Sequence, residues 1–179
     1  MPDKKISAMS LATTPLDPNA VVVPVVQAGV TARAPVGAFG GLLTYISWVQ
    51  AANYTYASVT FADIDAAHLI VTFTAPASGK VIVRLIAVTG PGASGAAVLW
   101  DLRDSGGDVA NSKVFVCSGT GANANYAVDI PMAGLTPGTS YTWKWGWAAG
   151  SANTITMYGT TATGAANSAF IMEVWSVPA

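Results

Sequence analysis

From Tyr45 to Val177 the apolar positions of this chain recur in period two. Leu69, Val71 and Phe73 alternate with Ile70, Thr72 and Thr74. Val81, Val83 and Leu85 alternate with Ile82, Arg84 and Ile86, and Val98, Trp100 and Leu102 with Leu99, Asp101 and Arg103. Val114 and Val116 alternate with Phe115 and Cys117, and Tyr126, Val128 and Ile130 form a further set. Tyr141, Trp143, Trp145 and Trp147 share one side, opposite Thr142, Lys144 and Gly146. Ile155 and Met157 follow, then Phe170, Met172 and Val174. Successive side chains of a strand point to opposite faces, so each run predicts a half-buried strand. Between the runs lie turn-forming stretches: Ala77-Ser78-Gly79, Gly90 to Gly95, Asp104 to Asp108, Gly119 to Asn125, Thr136-Pro137-Gly138 and Gly164 to Asn167. Glycine supplies positive φ there, and Asn and Asp bond their own backbone. About eight or nine short strands at this spacing predict an all-β, antiparallel β-sandwich or barrel. Only Ala62 to His68 hints at a helical turn.

The first forty residues follow another rule, and the chain divides near Gly40-Gly41. Residues 1–40 predict an extended arm and residues 41–179 the sandwich domain. In the arm, β-prone pieces at Ile6 to Met9 and Val21 to Gln27 alternate with Pro15, Pro18, Pro24 and Pro35. Proline lacks the backbone donor, so such pieces suit edge pairing with another protein rather than a central strand. Fully extended, the arm would reach on the order of 100 Å. Its valines distinguish it from a polar disordered tail.

Composition sharpens this picture. Charged residues are only 9% of the chain and hydrophobic ones 52%, against roughly 25% charged in an average soluble protein. Much of the surface is therefore uncharged, which implies cover by other subunits. A formal net charge of -1 offers no basic footprint, so no nucleic-acid partner is expected. The apolar run from Val21 to Val30 is short and broken by Pro24, so no membrane insertion is expected either. No unbroken apolar stretch follows Lys4 and Lys5, which argues against a signal peptide and for synthesis in a reducing cytoplasm.

Candidate chemistry is sparse. The single Cys117 lies in an alternating apolar run and reads as a buried, inert thiol. Asp63, Asp65 and His68 could form a polar cluster, but no spacing demands a nucleophile beside the one histidine, and a loop with a capping aspartate accounts for them. One His and one Cys cannot fill a zinc site. Asp101, Asp104 and Asp108 with Gly106-Gly107 lack calcium-loop spacing and read as a hairpin. Gly90-Pro91-Gly92-Ala93-Ser94-Gly95 lacks the ending of a phosphate loop. No catalytic residue, metal or cofactor is expected. Trp143, Trp145 and Trp147 admit three roles: core filling, which is favoured, a subunit interface, or a platform that stacks a host surface glycan.

Two resemblances add to this. Lys4-Lys5-Ile6-Ser7-Ala8-Met9, Ala12-Thr13-Thr14-Pro15-Leu16 and Val23-Pro24-Val25-Val26-Gln27-Ala28-Gly29-Val30-Thr31 resemble a segment at the start of many tailed-bacteriophage structural proteins, with Met9 and Ala28 departing from the usual Leu and Gly. The match covers about thirty residues, and such segments belong to tail fibres, head fibres and decoration proteins. It implies a virion-attachment arm in which Ile6, Ala8, Met9, Pro15, Leu16, Val23, Pro24, Val25, Val26, Gln27 and Val30 make the contacts. Ala75 to Val81, Gly134 to Thr142 and Ile171 to Val174 are similar to phage jelly-roll modules related to the tumour-necrosis-factor fold. The Leu135 to Tyr141 run also resembles a corner of fibronectin type III domains, but the region is too long for that module, so the jelly roll is favoured. Together they imply a non-enzymatic virion protein at the particle surface, bound to the major capsid protein or another virion protein, as a homotrimer. Capsid decoration protein or short head fibre is the first reading, and an adhesive tail-fibre or receptor-binding protein the second.

Overall fold

The computed structural model describes residues 22–27 and 30–35 as backbone, and residues 40–91, 96–118, 124–160 and 169–178 in full. Every regular element among them is a strand. β1 (Val22–Gln27) and β2 (Val30–Pro35) form a two-stranded antiparallel hairpin of their own. The sandwich follows: β3 (Leu42–Trp48), β4 (Tyr54–Tyr56), β5 (Ala62–Asp63), β6 (Ile70–Thr74), β7 (Val81–Pro91), β8 (Ala97–Asp104), β9 (Gly107–Asp108), β10 (Val114–Ser118), β11 (Ala124–Met132), β12 (Ser140–Ala149), β13 (Ile155–Met157) and β14 (Phe170–Ser176).

Eight of these strands have five or more residues and make two four-stranded sheets. The first sheet runs β3-β14-β7-β11, with β13 and β4 extending it beyond the end of β14. The second runs β6-β12-β8-β10, with short β5 on β12 and β9 on β8. In chain order, the first long strand pairs with the eighth, the second with the seventh, the third with the sixth and the fourth with the fifth, all antiparallel. That nesting is a long hairpin rolled over on itself, which is the jelly roll. A seven-strand fibronectin arrangement does not produce it.

The alternation read from the sequence is the inside–outside alternation of the strands. β7 buries Val81, Val83, Leu85 and Ala87 and leaves Ile82, Arg84 and Ile86 half-buried on the other face. Across the gap, β12 buries Trp143, Trp145 and Trp147, and β8 buries Trp100 and Leu102. One continuous core holds these with Phe73, Phe170, Met172 and Val174. The Trp100 and Trp145 rings meet edge to face at 4.7 Å, and Phe73 meets Trp143 likewise at 4.9 Å, both favourable aromatic geometries. The indole N–H groups of Trp100 and Trp145 are buried without a partner, a cost set against that packing.

Turn chemistry settles the corners. Gly79 has a φ of +62° and the Leu135 carbonyl sits where a Cβ would go, so the turn after Pro76 admits only glycine. At the Thr136-Pro137-Gly138 corner the Tyr141 hydroxyl accepts the Thr136 N–H at 3.0 Å, bonding the corner back on itself.

Ala62 to His68 divides: Ala62–Asp63 is strand β5, and a single turn capped by Asp65 follows, closed by the Leu69 N–H on the Asp65 carbonyl at 2.9 Å. Where the arm is described, its two strands pair as a hairpin, Val23 facing Ala34 and Pro24 facing Arg33. Each hairpin strand keeps one unpaired edge, where a proline costs no ladder bond.

Trp145→Ala should lower unfolding free energy by about 3–5 kcal/mol. Trp145→Phe should cost markedly less, because the partnerless N–H goes too. Urea denaturation checks both; equal losses would mean that the N–H is satisfied in solution.

Candidate functional site

Apart from the Arg84–Asp129 pair on the first sheet, the described residues bring titratable groups together in two places. The larger lies on the outer face of the second sheet. Strand alternation puts Asp101 and Arg103 of β8 opposite Trp100 and Leu102, and Lys144 of β12 opposite Trp143. Asp63 of β5 accepts Arg103 Nε at 2.8 Å and Lys144 Nζ at 2.9 Å. Asp108 of β9 pairs with Arg103 Nη1, and Lys113 Nζ lies 2.8 Å from it. Lys113 also sits 4.7 Å above the Phe61 ring.

Asp101 is the odd member. It is wholly buried, no N–H donor reaches either carboxyl oxygen, Arg103 Nη1 is 4.0 Å away, and its protonated carboxyl can hydrogen-bond to Asp108. It fits because Gly146 is its cross-strand partner; a methyl there would overlap both Asp101 Oδ1 and the Arg103 stem. Burial, reinforced by the Asp108 charge, pushes the Asp101 pKa up to about 7. Asp63 goes the other way. Its own burial would raise it, but the bonds and charges of Lys144 and Arg103 outweigh that and hold it below the ordinary value. Asp108 is lowered first by its bond to Lys113. Chemically this is a buried acid of raised pKa under a lid of paired charges, with basic groups between the carboxylates.

The second cluster joins the two sheets at one end of the sandwich. Asp65 Oδ1 accepts the backbone N–H groups of Ala67 and His68 at 3.0 and 3.1 Å. Its Oδ2 accepts the Tyr54 hydroxyl at 2.5 Å and lies 2.9 Å from His68 Nδ1. The His68 ring stacks on Trp48 at 3.7 Å. Burial, then the bond to Asp65, raises the Tyr54 pKa to about 12. Asp65 thus caps the loop and binds Tyr54 and His68, whereas Asp63 points to the other cluster, so of the three sequence neighbours Asp65 and His68 converge and Asp63 does not.

Other singled-out residues fall as follows. Trp143, Trp145 and Trp147 lie in the core at 2%, 0% and 3% exposure. Asp104 Oδ1 accepts the Gly106 N–H at 2.7 Å, which closes the β8–β9 hairpin. Cys117 is buried, and that burial raises its thiol pKa. Val23, Pro24, Val25, Val26 and Gln27 lie on β1 and Val30 on β2. Ile6, Ala8, Met9, Pro15 and Leu16 lie outside the described residues. Sequence reasoning missed the Asp101 group; its signal was a charged pair alternating with Trp100 and Leu102, opposite a glycine.

No family model matches the chain, and no curated protein matches it in sequence. Among solved structures, the crystal structure of an infectious bursal disease virus VP2 subviral particle is similar at 10% identity and a TM-score of 0.36, over 88% of this chain and 43% of that one. The structure of the Gt strain of the same virus is similar at 9% identity and 0.36, over 88% and 43%. The chain spans less than half the length of these structures, and a likeness this loose fixes neither fold nor function.

The Asp101 geometry predicts a pH dependence. The unfolded carboxyl ionises near pH 4, whereas the folded one holds its proton to about 7. Between those values the folded state binds the extra proton, so stability falls as pH rises, then levels off above 7. Asp101→Asn keeps the shape without the proton. Its melting temperature should gain on the parent's from pH 4.5 to about 7 and then hold that gain; two parallel profiles would show that Asp101 is ionised in the fold.

Proposed function

We propose that this chain is a non-enzymatic structural protein of a bacteriophage virion, a capsid decoration protein or short head fibre held through its N-terminal arm. The observation that carries this reading is the β1–β2 hairpin, which pairs with neither sheet of the sandwich. An isolated two-stranded hairpin is marginal in water. This one is built from the sequences VVPVVQ and VTARAP, and its outer edges can add to a sheet edge of the major capsid protein or another virion protein. The arm's likeness to phage attachment segments and the low charge of the chain point the same way. At the particle surface the chain is expected to assemble with copies of itself, and the number three comes only from the jelly-roll resemblance. Symmetry multiplies the arms, so a modest affinity per arm gives a durable attachment.

Binding alone suffices for this role. Asp65 is spent on a loop cap and Asp63 on two cations, which leaves the one histidine without a nucleophile among its described contacts.

Deletion of residues 1–40 should leave a soluble, folded sandwich that no longer joins particles. Normal occupancy of the truncated protein on purified virions would show that the arm is not the anchor. His68→Ala should lower stability by about 1 kcal/mol through the lost ring stack, with incorporation and infectivity unchanged. Loss of infectivity at normal incorporation and melting would reveal receptor recognition or chemistry at this ring.

A further inference from the structure

The outer face of the first sheet is apolar where an open sheet face is ordinarily polar. β7 turns Ile82, Arg84, Ile86 and Val88 outward, and β14 turns Ile171, Glu173 and Trp175 outward. The register sorts the face into rows across the strands. One row sets Pro131, Ile82, Trp175 and Leu42 side by side. The next sets Asp129, Arg84, Glu173 and Tyr45, and the third Ala127, Ile86, Ile171 and Ser47. A charged row therefore runs between two apolar ones, and Tyr45 and Leu42 stand 61% and 44% exposed at its margin.

The charged row is half-used within the chain. Arg84 donates Nε and Nη2 to Asp129 at 2.7 and 2.9 Å, which leaves Nη1 for another acceptor. Glu173 accepts Trp175 Nε1 on Oε2 at 2.9 Å, which leaves Oε1 for another donor. Arg84 and Glu173 are cross-strand neighbours on the two central strands of the face.

We infer that this face is covered by a second copy of the chain, the two related by a two-fold axis that lies between β7 and β14 and runs along them. Rotation about that axis keeps each row in its row and exchanges the two strands. It therefore sets Arg84 of each copy against Glu173 of the other, Ile86 against Ile171, and Ile82 against Trp175. The contact is isologous, so every complementarity occurs twice. A net charge of -1 per chain opposes such pairing only weakly. Four strands about 4.8 Å apart, over seven residues of about 3.3 Å rise, cover roughly 450 Å² per copy. A total of roughly 900 Å² lies under the ~1,200 Å² of stable complexes, so the contact is of the size of a weak, reversible dimer. This inference stands apart from the virion reading, and it predicts two copies where the sequence resemblance implies three.

The test is sedimentation equilibrium of the full chain from about 1 to 500 μM, a range that spans micromolar dissociation constants. The parent should show a reversible monomer–dimer equilibrium. Glu173→Arg sets Arg against Arg, and Arg84→Glu sets Glu against Glu. Each should weaken the dimer about a hundredfold with unchanged circular dichroism. An equimolar mixture of the two variants should restore the dimer, because each supplies the charge that the other lacks. Should Arg84→Glu fail to fold for want of its Asp129 pair, Ile171→Lys must weaken the dimer as Glu173→Arg does. A parent that stays monomeric or forms trimers overturns the inference, and so does full-strength dimerisation of Glu173→Arg or a mixture without rescue.

Discussion

Three tryptophans on one strand hold the two sheets at their distance. Trp143, Trp145 and Trp147 all point inward from β12, and the facing sheet contributes the smaller Val81, Val83, Leu85 and Ala87 of β7. Large against small across the gap fills the space of about 10 Å that stacked sheets leave. A chain with few charges and small side chains needs such residues, because aromatic rings carry most of the burial available to it. The nested strand pairing brings β7 and β12 to the centres of their sheets, where both edges are satisfied.

Filling one face of β12 constrains the other. Gly146 sits between Trp145 and Trp147, and its missing side chain admits the Asp101 carboxyl and the Arg103 stem. The lid over them uses six ionisable groups: Asp63, Asp101, Arg103, Asp108, Lys113 and Lys144. Five are paired by charge, and the sixth, Asp101, has its pKa raised by burial, which lowers the cost of keeping an acid in a dry site. The cluster has the perturbed acid that marks many functional sites, but its own basic groups occupy it, and structural ion-pair networks perturb pKa values as well.

The strand positions were legible in the sequence because period two has one structural meaning. The Trp100 and Trp143 runs, the Asp104 to Asp108 hairpin and the Tyr141 corner all follow from local rules. The short strand β5 was not legible: two residues, Ala62 and Asp63, are strand only because β12 offers them an edge. The hairpin in the arm was hidden for a similar reason, since Pro24 signals an edge but does not say whose. The Asp101 site needed the register of β8 against β12, which no local pattern contains. Asp63 and Asp65 show the limit plainly, because two residues apart they serve different clusters on different sides of the chain.

The two outer faces then differ in how they meet water. The second sheet concentrates six of the chain's eight basic and nine acidic residues on one patch, and so covers its outer face with its own charges. The first sheet spends three, Arg84, Asp129 and Glu173, in a single row, and puts isoleucines and a tryptophan on either side. With so few charges the chain cannot solvate both faces alike. A monomer under selection for solubility would spread its charges, since mixed and dispersed charge is what keeps surfaces apart. Concentrating them on one side leaves the other side with apolar rows over several strands, and apolar patches on a surface often mark contact sites. The distribution of charge between the sheets therefore carries more information about assembly than the total does.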